Sequence, residues 1–293
     1  MIQFGPAAAP RWFEQRLDRL DAYLDHLVAH GASSIEFIVH GGLPGLETER
    51  VHLSQPFWRP AIAAAQSRGL DVHLHAPLTP DYRLGGWNFD RDALLARFGP
   101  ITDLLIDIER NQARPPVLVL HAANVDEGSH LNGEQVTSAF LSSLALVLRS
   151  HQTDARIAIE SRLRTEPGDV RFDRRLSSLA SFIGDLELSN VGICWDVANH
   201  LGSATGERLP TPEVLGRVDH VPLHDRHLGS GGFHAPLRDD GLPWRQAIRH
   251  LRTAGWSGTV TLEIRYRYAL EQGDPWRVLG DSLDRARTAL IEE

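Results

Sequence analysis

The sequence of 293 residues contains no lysine, and all 30 of its basic residues are arginine. The absence of lysine excludes Schiff-base chemistry, lysine general bases and the phosphate-binding lysine of Walker-type nucleotide sites. Cys194 is the single cysteine, so the chain forms no internal disulfide and is unlike a secreted disulfide scaffold. The N-terminus lacks a basic segment followed by an apolar stretch, and no apolar run is long enough to span a bilayer. These absences favour a cytoplasmic protein with no membrane partner.

The chain is acidic, with a formal net charge of −8 at pH 7. Nucleic-acid-binding proteins usually present a basic face, so this balance argues against a nucleic-acid partner. Hydrophobic residues make up 42% and charged residues 23% of the chain, which is ordinary for a globular enzyme with a large core. No low-complexity linker and no change in composition divides the sequence. We therefore expect one domain over residues 1–293.

Short apolar runs with strand character alternate with amphipathic helical patterns along the whole chain. The predicted strands are Ile2–Phe4, Ser34–Val39, Asp71–His75, Val117–His121, Arg156–Glu160, Val191–Trp195, Asp219–His224 and Thr259–Glu263. The predicted helices are Trp12–Ala29, Phe57–Ser67, Arg91–Glu109, Gln135–Ser150, Trp244–Thr253 and Asp274–Ile291. Eight strand-then-helix units predict an α/β protein whose parallel sheet closes into a single (β/α)8 TIM barrel, a fold that typically needs about 250 residues.

The alternative architecture is a doubly wound open sheet, whose nucleotide-binding form needs a glycine-rich turn after the first strand. The sequence after Phe4 is Gly5-Pro6-Ala7-Ala8-Ala9, which lacks the G-x-G-x-x-G pattern. Three longer segments, Gly41–Gln55, Ala122–Gly133 and Asp225–Leu242, follow the second, fourth and seventh predicted strands. In a barrel these segments are loops on the catalytic face.

Ionisable side chains stand at the carboxyl ends of at least six of the eight predicted strands. These residues are His75, His121, Glu160, Asp196, His224 with Asp225, and Glu263. A lone histidine at a strand end is usually structural, and a lone carboxylate usually caps the next helix. Neither explanation accounts for six strand ends that converge on one barrel mouth. Carboxylates held close together repel unless a cation neutralises them, so the convergence predicts a divalent metal at the mouth.

The order of these motifs resembles the xylose-isomerase-like barrel superfamily, which contains sugar isomerases and epimerases as well as endonuclease IV. The resemblance covers nearly the whole chain, and the motifs that carry it are His75-Ala76-Pro77, His121, Ile159-Glu160, Trp195-Asp196, His220 with His224-Asp225, the loop from His234 to Trp244, and Leu262-Glu263. It implies one divalent ion held by Glu160, Asp196, a histidine of the seventh strand and Glu263.

The seventh strand departs from the family pattern. That pattern is His-x-His-x-x-Asp with the second histidine as ligand, and Pro222 stands at this position here. His220, Pro222 and His224 share one face of the strand because side chains alternate with period two. His224 lies nearer the mouth, so we expect it, ahead of His220, to replace the missing ligand.

The implied function is isomerisation or epimerisation of a sugar, sugar phosphate or polyol derivative. Oxygen and nitrogen ligands of this kind suit Mn2+, Mg2+, Co2+ or Zn2+. Such an ion stabilises the charge that develops on an enediolate when a proton leaves the carbon next to a carbonyl. Glu160 and Glu263 would then face each other across the substrate and transfer that proton as base and acid.

Further residues are expected to contact a small carbohydrate-like substrate. They are His75, His121, Glu166, Asn199, His200, Arg226 and His234. The resemblance implies an acidic contact at Glu166, six residues after Glu160, and a substrate-binding turn after Asp196. Arg226 belongs to a set of mouth arginines whose forks suit a carboxylate or phosphate. The alternative is that these arginines pair with neighbouring carboxylates such as Asp225.

Three other functions fit the same residues. An endonuclease IV-like phosphodiesterase would need three metals, and Asn199, Pro222 and Gly232 stand where its further His, His and Asp ligands are expected. A dehydratase or lyase on a carbohydrate-like substrate would use the same enolate chemistry. Pro222 also suggests a non-catalytic sugar-binding barrel with a degenerate site. Barrels of this type often form homo-oligomers, but no surface stripe in the sequence establishes one.

Overall fold

A computed structural model gives the fold and describes residues 2–13, 16–39, 55–77, 84, 90–123, 132–162, 171–202 and 209–291. Its strands are β1 (Gln3–Ala8), β2 (Ser34–Ile38), β3 (Asp71–His75), β4 (Val117–His121), β5 (Arg156–Glu160), β6 (Val191–Cys194), β7 (Val218–Leu223), β8 (Asp225–Arg226), β9 (Phe233–Ala235) and β10 (Thr259–Leu262). Eight of them close into a parallel barrel in the order β1-β10-β7-β6-β5-β4-β3-β2. The predicted TIM barrel is confirmed.

Helices follow the barrel strands and cover the outside of the sheet. They are α1 (Leu17–Ala29), α2 (Gln55–Gln66), α3 (Arg91–Glu109), α4 (Gly133–Ser150), α5 (Leu176–Asp185), α6 (Val197–Leu201), α7 (Pro212–Leu215), α8 (Trp244–Thr253), α9 (Tyr266–Glu271) and α10 (Pro275–Ile291), with 3-10 helices at Pro10–Phe13 and Phe172–Arg174. Asp90 caps α3 by accepting two backbone N–H groups, and Asn132 caps α4 in the same way. Within the described part of the chain, no helix has the length and apolarity needed to cross a membrane.

The prediction that the first strand ends at Phe4 is wrong, because β1 continues through Gly5 and Pro6 to Ala8. Gly5 is required by a close approach and not by a turn, since a Cβ there would overlap the carbonyl oxygen of Ser34 on β2. Pro6 lies in register with Leu262 of β10. A Gly-Pro pair that looks like a turn in the sequence therefore lies inside a buried barrel strand.

Inward and outward side chains alternate along each barrel strand and fill two separate cores. The outward residues join one large core between the sheet and the helices. A small apolar cluster lies inside the barrel and consists of Val117, Val119, Ala158 and Cys194. The other inward positions include the buried polar residues Glu36, His73, His220 and Thr259. Barrel interiors are usually filled by Val, Ile and Leu. This interior differs because one part of it is apolar and another part is polar.

His73 lies at the base of the barrel and lines a cavity of about 660 Å3 at the amino ends of the strands. Its Nδ1 accepts the N–H of Val117 at 3.2 Å, and its Nε2 lies 3.1 Å from Oγ1 of Thr259, whose hydroxyl donates to Gln3. These contacts require a neutral ring, because a proton on Nδ1 would face the N–H of Val117. Burial, followed by the charges of His220 and Arg114, lowers the pKa of His73 well below 6.5.

We expect acid to destabilise the barrel through His73. The unfolded chain binds a proton at this ring below pH 6.5, whereas the folded barrel does not. The stability that the neutral ring contributes is complete above pH 6.5, and it is lost at about 1.4 kcal/mol per pH unit as the pH falls toward the folded pKa. Unfolding free energies of the wild type and His73→Gln are measured between about pH 7.5 and 5. Their difference should be constant above pH 6.5 and should change with that slope below it, because only the wild type loses the contribution of the neutral ring. A difference independent of pH would contradict this expectation.

Candidate metal and substrate site

Two groups of histidines and carboxylates lie at the carboxyl ends of the barrel strands, where the sequence predicted them. The Glu160 group consists of His75, His121 and Glu160. The Glu263 group consists of His224, His234 and Glu263. Within each group the possible ligand atoms lie within 4.8 Å of one another. Each group brings residues from different strands together, which only the closed barrel makes possible.

In the Glu160 group a buried carboxylate faces two imidazole rings. Oε2 of Glu160 lies 2.9 Å from Nε2 of His121 and 3.3 Å from Nε2 of His75. Nδ1 of His75 donates to the carbonyl oxygen of Ala76 at 2.9 Å. Both ring nitrogens of His75 therefore face acceptors. Burial opposes the charged ring, but the hydrogen bond to Glu160 and the charges of Glu36, Glu160 and Glu263 together outweigh it and raise the pKa of His75 to about 10.

The charge state of Glu160 follows from these two neighbours. Burial alone would raise the pKa of this carboxyl, but His121 and His75 hold it well below its ordinary value. Glu160 is thus an ionised carboxylate at neutral pH with a fixed orientation. A carboxylate that is ionised, buried and hydrogen-bonded is suited both to binding a cation and to accepting a proton.

Asp196 is completely buried and has two functions in the structure. Its Oδ1 caps α6 by accepting the N–H of Asn199 at 2.8 Å. Its Oδ2 accepts Nδ2 of Asn199 at 2.6 Å and lies 3.2 Å from Nε2 of His224. Nδ1 of His224 lies 3.0 Å from the backbone nitrogen of His234. Burial opposes a charged ring, but the carboxylates of Asp196 and Glu263 outweigh it and raise the pKa of His224 above its ordinary value. Helix capping and a place in the site are combined in Asp196.

The two histidines of β7 that the sequence left as alternatives have different neighbours. His224 lies at the mouth with Asp196 and the Glu263 group. His220 is completely buried below it and forms an ion pair with Glu36 of β2. Pro222 lies between them, in register with Thr261 of β10. Of the two, His224 is therefore the one that is brought to the carboxylates.

Glu263 is the most exposed of the three mouth carboxylates, with 18% of its side chain accessible. Its burial and the charge of Glu160 raise the pKa of Glu263 to about 8. The carboxylates therefore resist being ionised together, and a divalent cation would relieve this repulsion. The structure divides the predicted ligands between the two groups: Glu160 lies in one, His224 and Glu263 lie in the other, and Asp196 contacts His224. Both groups offer carboxylate oxygens and imidazole nitrogens, which suit Mn2+, Mg2+, Co2+ or Zn2+.

His234 has a strained backbone next to the site. Its φ of 71° lies in the left-handed region, which is uncommon for a residue other than glycine. This conformation directs its N–H to His224 and places its ring 4.2 Å from the ring of His224. Its Nδ1 lies 3.3 Å from Oε1 of Glu263. Strain of this kind is concentrated at functional sites, where the surrounding structure has to hold it.

The loop that carries His234 is organised by Asp225, which is completely buried. Its carboxylate accepts the backbone N–H groups of Arg226, Leu242 and Arg238 at 2.7, 3.0 and 3.3 Å. Gly241 passes so close that a Cβ there would overlap the carboxylate. The sequence indicated only a loop over 225–242, but β8 and β9 form an antiparallel hairpin within it. Asp225 joins the two ends of this segment.

We expect Asp225→Asn to destabilise the protein by about 2 kcal/mol, since an amide cannot accept all three N–H groups and Arg238 loses a buried charge partner. Hydrogen exchange should accelerate at the amides of Arg238 and Leu242 while the barrel strands remain protected. Asp239→Asn is the matched control, because Asp239 is 67% exposed in the same loop. Equal exchange rates in the two variants would show that Asp225 does not organise the loop.

The remaining predicted substrate contacts have partners inside the protein or lie outside the described residues. His200 is buried against Trp195, with ring centroids 5.7 Å apart. The guanidinium of Arg226 donates to the carbonyl oxygen of Gly202. Among the described residues, the partner of the Arg226 guanidinium is therefore the backbone and not a neighbouring carboxylate. Glu166 lies outside the residues that the structure describes.

Glu36 is the buried acid that the sequence reasoning missed. It is 2% exposed on β2 and contacts His220 across the barrel. The available signal was an acid inside the otherwise apolar run Ile35-Glu36-Phe37, at a strand position where an inward side chain is expected. A charged residue inside a predicted buried strand requires a partner.

Residues 24–288 match the xylose isomerase-like TIM barrel family, and the chain belongs to this family. No curated protein matches its sequence. Among solved structures it is similar to a 3-keto-D-glucoside 4-epimerase from E. coli (18% identity, covering 98% of this chain and 100% of that one, TM-score 0.65). It is also similar to the D-psicose 3-epimerase of Clostridium cellulolyticum H10 (13%, 98% and 99%, 0.69) and to an L-ribulose 3-epimerase (15%, 100% and 99%, 0.63). At these identities the similarity shows the shared fold.

Proposed function

We propose that the protein is a divalent-metal-dependent isomerase or epimerase of a small carbohydrate-like substrate. The observation that carries the proposal is the pair of histidine–carboxylate groups at the barrel mouth, one with Glu160 and one with His224 and Glu263, together with the contact of Asp196 with His224. Solved structures of the same fold include D-psicose and L-ribulose 3-epimerases, which supports a sugar as the substrate class. A single cation among these residues would meet adjacent oxygens of such a substrate.

The residues that would hold the ion are Glu160, Asp196, His224 and Glu263. When bound, a divalent ion supplies a Lewis acid that acidifies the proton on the carbon next to a sugar carbonyl. Glu160 accepts this proton, and its hydrogen bonds to His75 and His121 fix the carboxylate in one orientation. Glu263 returns a proton from the other side of the substrate, and this second transfer inverts the carbon.

The proposed substrate contacts with the best placement are His121 and His234. Their side chains are 27% and 19% exposed, so both can meet a ligand that enters the mouth. Each also has a ring nitrogen within 3.3 Å of a proposed catalytic carboxylate. The contacts proposed at Asn199, His200 and Arg226 would require these side chains to exchange their present neighbours for the substrate.

Incubation with sugars in D2O tests the proposed function. Protein treated with a chelator and resupplied with Mn2+, Mg2+, Co2+ or Zn2+ is mixed with D-psicose, D-tagatose, L-ribulose and a 3-keto-D-glucoside. The expected result by NMR is an epimer with deuterium at the inverted carbon, formed only when metal is present. An eliminated product would instead identify a dehydratase or lyase. Sugar binding without turnover or bound metal would identify a non-catalytic barrel.

A second candidate is an endonuclease IV-like phosphodiesterase, favoured by one observation. The Glu160 group and the Glu263 group could each hold an ion. An endonuclease IV-like phosphodiesterase needs three ions. Two of its further ligand positions are Asn199, whose amide is bound to Asp196, and Gly232, which has no side chain. Zinc analysis and incision of abasic DNA separate the candidates, since the epimerase requires one ion per chain and no nuclease activity.

A further inference from the structure

A buried ion pair crosses the interior of the barrel beneath the proposed site. Glu36 of β2 is 2% exposed and His220 of β7 is fully buried. In the closed sheet β1 and β10 separate β2 from β7. The contact therefore spans the barrel and does not join neighbouring strands. It is a link across the interior that the backbone ladder does not provide.

Packing does not require this pair. The small cluster of Val117, Val119, Ala158 and Cys194 fills another part of the same interior with apolar side chains. Ionisable groups removed from water have a large desolvation cost, and apolar replacements of similar volume are often neutral or stabilising. The pair thus lowers the stability that an apolar interior would reach, which points to a role other than filling space.

The strand on which the pair acts is β7. Its inward positions include His220 and Pro222, and His224 follows directly after its last residue. Pro222 has no N–H to donate to a neighbouring strand. The pairing of β6 with β7 also shifts register between Ile193 and Cys194, directly beside His220. The ladder is therefore irregular in the part of β7 that has to place His224.

We propose that Glu36 and His220 are positioning residues, whose ion pair anchors β7 below Pro222 and so holds His224 against Asp196. Two histidine–carboxylate pairs then fix the strand, one on each side of the proline. The significance of this arrangement for catalysis rests on the proposed function. The arrangement itself belongs to the protein without metal or substrate.

The first measurement uses the metal-free protein. Long-range 1H–15N spectra report the ring nitrogens of His224, which His224→Gln assigns. The wild type should show a proton on Nε2 that is hydrogen-bonded to Asp196. Glu36→Gln should shift or broaden these signals, whereas Val119→Ala, which removes apolar volume from the same interior, should leave them in place. Unchanged His224 signals in Glu36→Gln overturn the proposal. Glu36→Leu combined with His220→Leu removes both ionisable groups of the pair and provides the same test if the single variant does not fold.

The second measurement is a calorimetric titration with Mn2+. Misplacement of His224 should weaken Mn2+ binding about tenfold in Glu36→Gln and in the double leucine variant, because partners that orient a ligand typically contribute at least this factor. Val119→Ala should bind as the wild type does. The double variant should unfold at or above the wild-type temperature, so instability cannot explain its loss of affinity. Wild-type affinity in the double variant overturns the proposal. A wild type that binds no Mn2+ contradicts the proposed function instead, and the NMR result then decides the positioning role.

Discussion

Replacement of Glu160 by Gln is expected to lower kcat about 1000-fold on the sugar that the protein converts, with little change in KM. An amide keeps the size of the side chain but cannot accept a proton from carbon. It also remains an oxygen acceptor for His121 or His75, so the local structure should persist. The measurement is the rate of deuterium incorporation together with the rate of epimer formation, since both require the same proton removal.

The control for this variant is Glu134→Gln, the same exchange at an exposed position in the first turn of α4. Its turnover and metal content should equal those of the wild type. Metal content is also measured in Glu160→Gln, because a lost ion would lower the rate by a different route. Full turnover in Glu160→Gln with a full complement of metal would show that another group removes the proton.

Asp196→Asn is expected to weaken Mn2+ binding by at least about 100-fold. Loss of a residue that merely orients a metal ligand typically costs about 10- to 100-fold, and Asp196 is proposed to bind the ion directly. The amide can still cap α6 through one oxygen, but its nitrogen then faces a second donor at Asn199 or His224. The barrel should remain folded while calorimetric binding of Mn2+ is lost.

Asp90→Asn is the matched control, since Asp90 caps α3 with hydrogen bonds to two backbone N–H groups and lies on the exposed surface. Asparagine is a good capping residue, so this variant should keep both its stability and its Mn2+ affinity. Equal Mn2+ affinity in Asp196→Asn and the wild type would restrict Asp196 to helix capping. Equal losses in the two variants would trace the effect to capping in general.

The sequence was sufficient to predict the barrel and the strand ends that meet at its mouth. The bounds of β3, β4 and β5 follow from apolar runs that end in His75, His121 and Glu160. Parallel strands present their carboxyl ends on one face, so the sequence alone places these residues together. The error at Gly5 arose because a close approach to Ser34 cannot be seen in a local pattern.

The partners within the site could not be predicted, because they depend on tertiary contacts. Nothing local in the sequence shows that Asn199 holds Asp196 or that Arg226 bonds to Gly202. Alternation places His220 and His224 on the same face, and the sequence favoured His224 only because it lies nearer the mouth. The partners that distinguish them, Glu36 for His220 and Asp196 for His224, required the structure. The hairpin of β8 and β9 was missed because its strands have two and three residues, too short for a periodic signal.

The ion pair between Glu36 and His220 also restricts how this barrel can diverge. A single change at either position leaves the other ionisable group buried without its partner, whereas a joint change to two apolar side chains does not. We therefore expect these two positions, which are far apart along the chain, to change together. Residues in the apolar part of the interior, such as Val119, can vary one at a time through volume-conserving exchanges. The polar part and the apolar part of the barrel interior are thus expected to tolerate different substitutions.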